Sequence, residues 1–335
     1  MKRMNPLKNA LTPSFFIGIL LLTGCSGDAS DTDSTNETAL AEAEYFADYD
    51  SPERKWGFLD KEGDVSISPN YDLVSNFTEG LAAVNYKGRW GYIDKDGDVV
   101  IPYRYVAAWP FINGYARVST FGGKQCVIDR QGTEQCVEFA QELGDVFYGR
   151  VRVVTDGGEG FADVTGKMVI DPIYQRVDNF EYGLAVVDLD GKEGVIDTSG
   201  KYVIQPEFEA VRITSDHIAL VKDADGFGFK DIRGKGRFSC DEKYVSARAV
   251  QGEVAAVKND SGWHLLDASC QRLTERHFQV ILPAGNGRWI AKAASGFGLL
   301  DQNGLPITAF NYLEINKFHE GIAVYRKDDL CGFMD

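Results

Sequence analysis

The chain has 335 residues, of which 44% are hydrophobic, and carries a formal net charge of −15 at pH 7. The hydrophobic fraction is that of an ordinary globular protein, while the acidic balance, with no basic stripe to meet phosphates, excludes nucleic acid as an expected partner and disfavours anionic lipid headgroups. Length alone allows more than one domain, so the internal organisation has to come from the pattern of residues.

At the N-terminus, Lys2, Arg3 and Lys8 precede the apolar run Phe15 to Leu22, which is too short to span a bilayer. Leu22-Thr23-Gly24-Cys25 follows, and this order of charge, apolar core and tetrapeptide resembles the lipobox signal of bacterial lipoproteins. The resemblance implies a signal peptide over 1–24, cleavage before Cys25 and acylation of Cys25, which would hold a soluble protein at a membrane surface. Ser26, in place of an aspartate, favours the outer membrane in a diderm host. From Ser26 to Glu53 there is no lysine or arginine and nine residues are acidic. Such a stretch cannot bury enough apolar surface to offset its ordering entropy, so 25–54 is expected to be the lipidated cysteine and a disordered tether.

From residue 55 to 335 an aspartate recurs at Asp60, Asp94, Asp129, Asp163, Asp197, Asp231, Asp267, Asp301 and Asp335, at intervals of 34 to 36 residues. A period in that range marks stacked supersecondary units, each too small to bury its apolar face alone. The segments that end at these aspartates, such as WGFLD (Trp56, Gly57), WGYID (Trp90, Gly91) and WHLLD (Trp263), alternate large and small residues as short half-buried strands do. Glycine follows three residues after the aspartate in seven of eight units (Gly63 and Gly97 among them), Cys270 being the exception. Asp-x-x-Gly is hairpin chemistry, with the carboxylate accepting backbone N–H groups ahead of it and the glycine in the left-handed region. The returning strand then meets Pro69, Pro102, Pro172 or Pro206, where pairing is expected to end. Beyond it an aromatic and a valine recur (Tyr71 and Val74, Tyr103 and Val106, Tyr174 and Val177, Phe208 and Val211), and then a strand of the kind Leu81 to Val84. The glycine after each tryptophan is expected to let a bulky neighbour lie flat over the backbone.

This unit is similar to that of the bacterial WG-repeat (KWG-type) proteins. The match is strongest at GRWGYIDKDGDVVIPYRYV and weakens where Gln125, Glu159 and Glu193 replace tryptophan and Cys126 and His264 replace glycine. The resemblance implies a fold and an interaction role and transfers no catalytic residue.

Cys126 and Cys136 flank the turn around Gln131 symmetrically, and a hairpin disulfide between them is expected in an oxidising compartment. Cys240 and Cys270 occupy different phases of adjacent units and their pairing is left open. Cys331 is the candidate for an odd thiol.

None of the metalloprotease, nucleophile-elbow, phosphate-loop or Cys-x-x-Cys motifs occurs, so neither an enzyme nor a cofactor or metal is expected. His264, at a glycine phase, reads as a surface or packing substitution. The Asp-x-Asp-Gly stretches at Asp94, Asp188 and Asp223 lack the remaining ligands of a calcium loop and read as turns. The ring at a fixed phase of each unit reads as inter-repeat core, whereas Trp109, Trp289 and Tyr115 lie off that phase and would suit a glycan if exposed.

The sequence thus predicts an all-β array of about eight to nine 34-residue, three-stranded antiparallel units, an open superhelix favoured over a closed propeller-like ring because the WG strand occurs nine times and its LAAV partner eight. The expected function is that of a membrane-anchored envelope lipoprotein whose repeats form a non-catalytic protein-interaction scaffold. The alternative is a glycan- or peptidoglycan-binding module, so the expected partner is an envelope protein or glycan.

Overall fold

The structure is a computed structural model that describes residues 55–234, 238, 240, 242–248 and 250–335. The expected signal peptide, Cys25 and the acidic tether lie outside the described residues. Every regular element among those described is a strand, and the strands run as antiparallel meanders in which sequence neighbours pair and no sheet closes on itself.

One unit shows the plan. A lead strand Arg176–Val177 pairs with Leu184–Leu189, which pairs with the WG-type strand Lys192–Asp197, which pairs with the return strand Tyr202–Phe208. The three expected strands are therefore joined by a short fourth, made by the valine that follows the repeated aromatic. In the second and third units the return strand Val99–Ala108 runs on as the next lead strand, which merges two units into one seven-stranded sheet.

Pairing does not end at the prolines. Glu193 lies opposite Phe208 and Val195 opposite Ile204, so the return strand carries two more residues than its partner between these points, and Pro206 sits in the resulting bulge. The same irregularity surrounds Pro69 and Pro172. A bulged residue owes the ladder no N–H, which is why proline fits there. In the second unit Trp90 pairs with Tyr105, as Trp56 does with Tyr71. Tyr105 is buried and Val106 exposed, so the repeated aromatic of that unit is Tyr105 and the expected Tyr103 and Val106 pair is displaced by two residues.

The bulge also explains the glycine after tryptophan. A Cβ at Gly57, Gly91, Gly160 or Gly194 would stand 2.4, 2.6, 2.4 or 2.6 Å from the carbonyl oxygen of Ile67, Ile101, Ile170 or Ile204. Return-strand backbone approaches each of these glycines, and at Gly91 the expected bulky neighbour is there too, Tyr103 Cδ1 standing 2.7 Å from the same Cβ. In the seventh unit, where His264 replaces it, the return segment pairs through isolated bridges, Trp263 with Phe278 and Leu266 with Arg272, and the eighth unit, which keeps Gly298, does the same through Phe297 with Tyr312 and Leu300 with Pro306.

Consecutive sheets enclose one apolar cluster at each junction. Ile67 and Tyr71 of the first unit meet Ala82, Val84 and Ile93 of the second. Leu81, Ala83 and Tyr92, on the other face of that second sheet, meet Ala116, Val118 and Ile128 of the third. The four consecutive apolar residues of each LAAV strand follow from this, since alternate side chains enter different cores. The last sheet has one covered face and one open face: Ala323 is buried, whereas Phe333, the counterpart of fully buried Tyr92, is 75% exposed.

Cysteines replace missing glycines. Cys126, at a WG-glycine phase, is bonded to its cross-strand partner Cys136. Cys270, at the turn-glycine phase, holds φ +64° and is bonded to Cys240, 30 residues earlier. No described cysteine is free, which corrects the expectation of an odd thiol at Cys331.

Candidate interaction surface

Stacking the units places equivalent turns side by side along two edges of the array. The first edge carries the aspartates. Oδ1 of Asp60, Asp94, Asp129, Asp163, Asp197, Asp267 and Asp301 accepts the N–H groups two and four residues ahead at 2.8–3.1 Å. Asp231 accepts the Arg233 N–H at 2.9 Å. The Thr165 and Ser199 hydroxyls hold the Asp163 and Asp197 carboxyls below the usual carboxylate range, and the Thr133 N–H does the same for Asp129. The positions of Gly57, Gly63, Trp90, Gly91, Gly97 and Trp263 are likewise structural: the Trp90 and Trp263 rings lie against or in the core and the glycines in the bulges and turns already described, while Trp56 pairs with Tyr71 in the first sheet.

Between these turns lie tight hairpin tips in which two successive residues hold positive φ, as at Glu79-Gly80, Asn113-Gly114, Tyr148-Gly149 and Tyr182-Gly183. Neighbouring tips are stitched together. The Gly114 N–H donates to Glu79 Oε2 at 3.0 Å, Asn113 Nδ2 to the Val146 carbonyl at 2.7 Å, and Arg233 Nη2 to the Tyr182 carbonyl at 2.8 Å.

The opposite edge is charged and largely self-neutralised. Lys55 pairs with Asp72, Arg176 with Glu193, Lys243 with Asp223, and Lys222 with Glu209 at 2.6 Å. Two large apolar side chains on this edge escaped the sequence reading. Phe121, in the hairpin after Thr120, is 62% exposed, and Phe139, which follows Val137 and holds φ +63°, is 89% exposed. Both sit at the Gln125 end of the third sheet, because Gln125 pairs with Ser119 on one side and Val137 on the other. A phenylalanine directly before the Gly122-Gly123 turn was the available signal.

The off-phase aromatics are packing residues. Trp289 is fully buried, Trp109 lies under the Arg117 guanidinium with 4.7 Å to its ring centroid, and Tyr115 packs against a core cluster. The Asp-x-Asp-Gly carboxylates are engaged locally, Asp188 by the Gly191 N–H at 3.0 Å and Asp223 by the Asp225 N–H and Lys243. His264 is buried edge-to-face against Tyr244 and His277, and burial, then Arg272 and His277, hold its pKa below the usual value.

Several solved structures show weak similarity. BamB from Moraxella catarrhalis is 13% identical with a TM-score of 0.34, over 79% of this chain and 93% of that one. The computationally designed Ika8 protein is 17% identical with a TM-score of 0.34, over 78% and 94%. Hsv2 of Kluyveromyces lactis is 7% identical with a TM-score of 0.32, over 63% and 86%. No curated protein sequence matches. The family described as WG containing repeat matches at residues 56–90, 90–124, 160–192, 194–225 and 297–331, just over half of the chain. The chain therefore belongs to the WG containing repeat family.

Proposed function

We propose that this protein is an envelope lipoprotein, tethered through acylated Cys25 and the acidic segment up to residue 54, whose repeat array is a non-catalytic scaffold that docks a partner protein. The observation that carries the docking reading is the pair Phe121 and Phe139, two large apolar side chains exposed on one edge of one sheet. Exposed aromatics are the usual anchors of protein interfaces, and an array whose turns are held by their own hydrogen bonds presents them on a rigid support. Lys55, Arg176, Lys222 and Lys243 on that edge are neutralised by carboxylates.

Two measurements test the reading. Cys25→Ala should move the protein from the membrane fraction to the soluble envelope or medium; retention at the membrane as a full-length chain would remove the anchor from the proposal. A photo-crosslinking residue at position 139 should give a discrete adduct in intact cells that Phe121→Ala abolishes, while the same probe at exposed Val169 gives none. Equal labelling at both positions would remove the docking edge.

A further inference from the structure

The ion pairing of the sixth unit on the charged edge is not repeated in the seventh. In the sixth unit Lys222 is neutralised by Glu209 and Asp223 by Lys243. The repeat gives internal controls for both. The backbone N–H groups of Glu209, Val245 and Gln279 donate to the carbonyls of Lys222, Lys258 and Lys292, which makes these three pairs equivalent. The first residue of the pair thus changes from carboxylate to Val245 and then Gln279, while the lysine stays. Asp223, Asn259 and Ala293 are equivalent by their pairing with Gly226, Gly262 and Gly296, so a second carboxylate is lost in the same place.

The cations left behind line an open surface cavity. Lys258 and Arg276, with Asp260, Ser261, His277 and Gln279, border a space of about 510 Å³ between the seventh and eighth units. Neither Lys258 nor Arg276 makes an ion pair among the described residues. Arg276 stands two residues before the repeated aromatic, where other units carry Pro69, Pro172 or Pro206. Its guanidinium lies 4.6 Å from the Phe310 ring centroid and 5.4 Å from that of Phe278, so it is positioned by stacking and keeps its donors for another partner. In a chain of net charge −15, two cations against the single carboxylate of Asp260, with which neither forms an ion pair, are an exception to the prevailing charge. The cavity is of small-molecule size, larger than a lone oxyanion needs. One carboxylate, a hydroxyl and a carboxamide on its wall are groups that bond sugar hydroxyls.

We propose that this cavity binds an anionic sugar, with Lys258 and Arg276 holding its phosphate or carboxylate and Asp260, Ser261 and Gln279 its hydroxyls. The site is independent of the Phe121 and Phe139 edge and of the lipid anchor. Burial and then Arg272 hold the His277 pKa below the usual histidine value.

The test is calorimetric titration of the full chain in detergent with glucose 1-phosphate, glucuronate, glucose and inorganic phosphate, and sedimentation with phosphatidylglycerol vesicles. Glucose 1-phosphate or glucuronate should bind saturably, with glucose and inorganic phosphate each roughly tenfold weaker or worse. Lys258→Gln should weaken the anionic sugar by roughly tenfold and Lys258→Gln with Arg276→Gln further, whereas Lys222→Gln, the ion-paired counterpart, should change affinity less than about twofold. Lys258 is not in a core cluster, so the single variant keeps the test open if loss of Arg276 stacking disturbs the fold. Glucose binding as well as its phosphate, inorganic phosphate binding as well as either sugar, unchanged affinity in Lys258→Gln, or binding to anionic vesicles alone would each overturn the proposal.

Discussion

Cys270 is bonded to Cys240 while holding φ +64° in the one Asp-x-x-Gly turn that has lost its glycine. Every other turn of that kind places glycine at φ between +68° and +90°. A side chain in the left-handed region is tolerated when its surroundings over-determine it, and the disulfide does that here. The turn still closes in the same way, with Asp267 accepting the N–H groups of Ser269 and Gln271.

Loop length orders the two mapped disulfides. By chain entropy, closing the 30-residue separation of Cys240 and Cys270 is worth about 3.6 kcal/mol and the 10-residue separation of Cys126 and Cys136 about 2.7 kcal/mol. Replacing each pair by serine should lower stability in that order, measured by urea unfolding. With Cys240→Ser, Cys270→Gly should be more stable than Cys270→Ser by about 1 kcal/mol, because glycine relaxes the turn. Peptide mapping under non-reducing conditions checks the connectivity itself.

Gly91→Ala and Gly63→Ala should differ although both are single methyl additions. At Gly91 the methyl would stand 2.6 Å from the Ile101 carbonyl oxygen, and the bulged return strand has to move; the expected cost is about 3 kcal/mol. Gly63 has nothing within 4 Å and only its φ of +90° resists substitution, so about 1 kcal/mol is expected. Denaturant midpoints measure both, and equal costs would count against the close approach as the reason for the WG glycine.

Acid should weaken the array through its turns. The Asp129, Asp163 and Asp197 carboxyls are held below their ordinary value by hydrogen-bond donors in the folded chain. A depressed folded pKa contributes stability that is complete above the unfolded value of about 3.9 and is lost as pH falls through the folded values. Asp163→Asn with Asp197→Asn should therefore flatten the decline of unfolding free energy between about pH 4 and pH 2 while costing stability at pH 7.

A second pH dependence lies nearer neutrality. His264 and His277 both have depressed folded pKa values, from burial first and then from Arg272, with His277 also acting on His264 and Glu242 opposing. The neutral rings are favoured, so stability is complete above the unfolded histidine value of about 6.5 and falls as pH drops through the folded values. His264→Gln should remove part of the loss between about pH 7 and pH 5, and the double change with His277→Gln more of it. A thermal-melt series over that range is sufficient; an unchanged slope would show that neither imidazole is linked to folding.

Features that depend on a few consecutive residues were legible in the sequence. Asp94 and Gly97 announce their turn because a carboxylate and a left-handed glycine three residues apart satisfy the hairpin locally, and the period of such pairs reveals the array. Cys126 and Cys136 were legible for the same reason, being symmetric about one hairpin. Pro206 was misread as a strand end because a bulge is visible only against its partner, Gly194, across the ladder. Tertiary structure alone decided the rest. Cys240 meets Cys270, Phe139 stays in solvent while Trp289 is buried, and Lys258 and Arg276 come together beside one cavity. Each of these depends on how two units pack, and burial or charge pairing between units is set by register across a junction, which no local pattern of residues encodes.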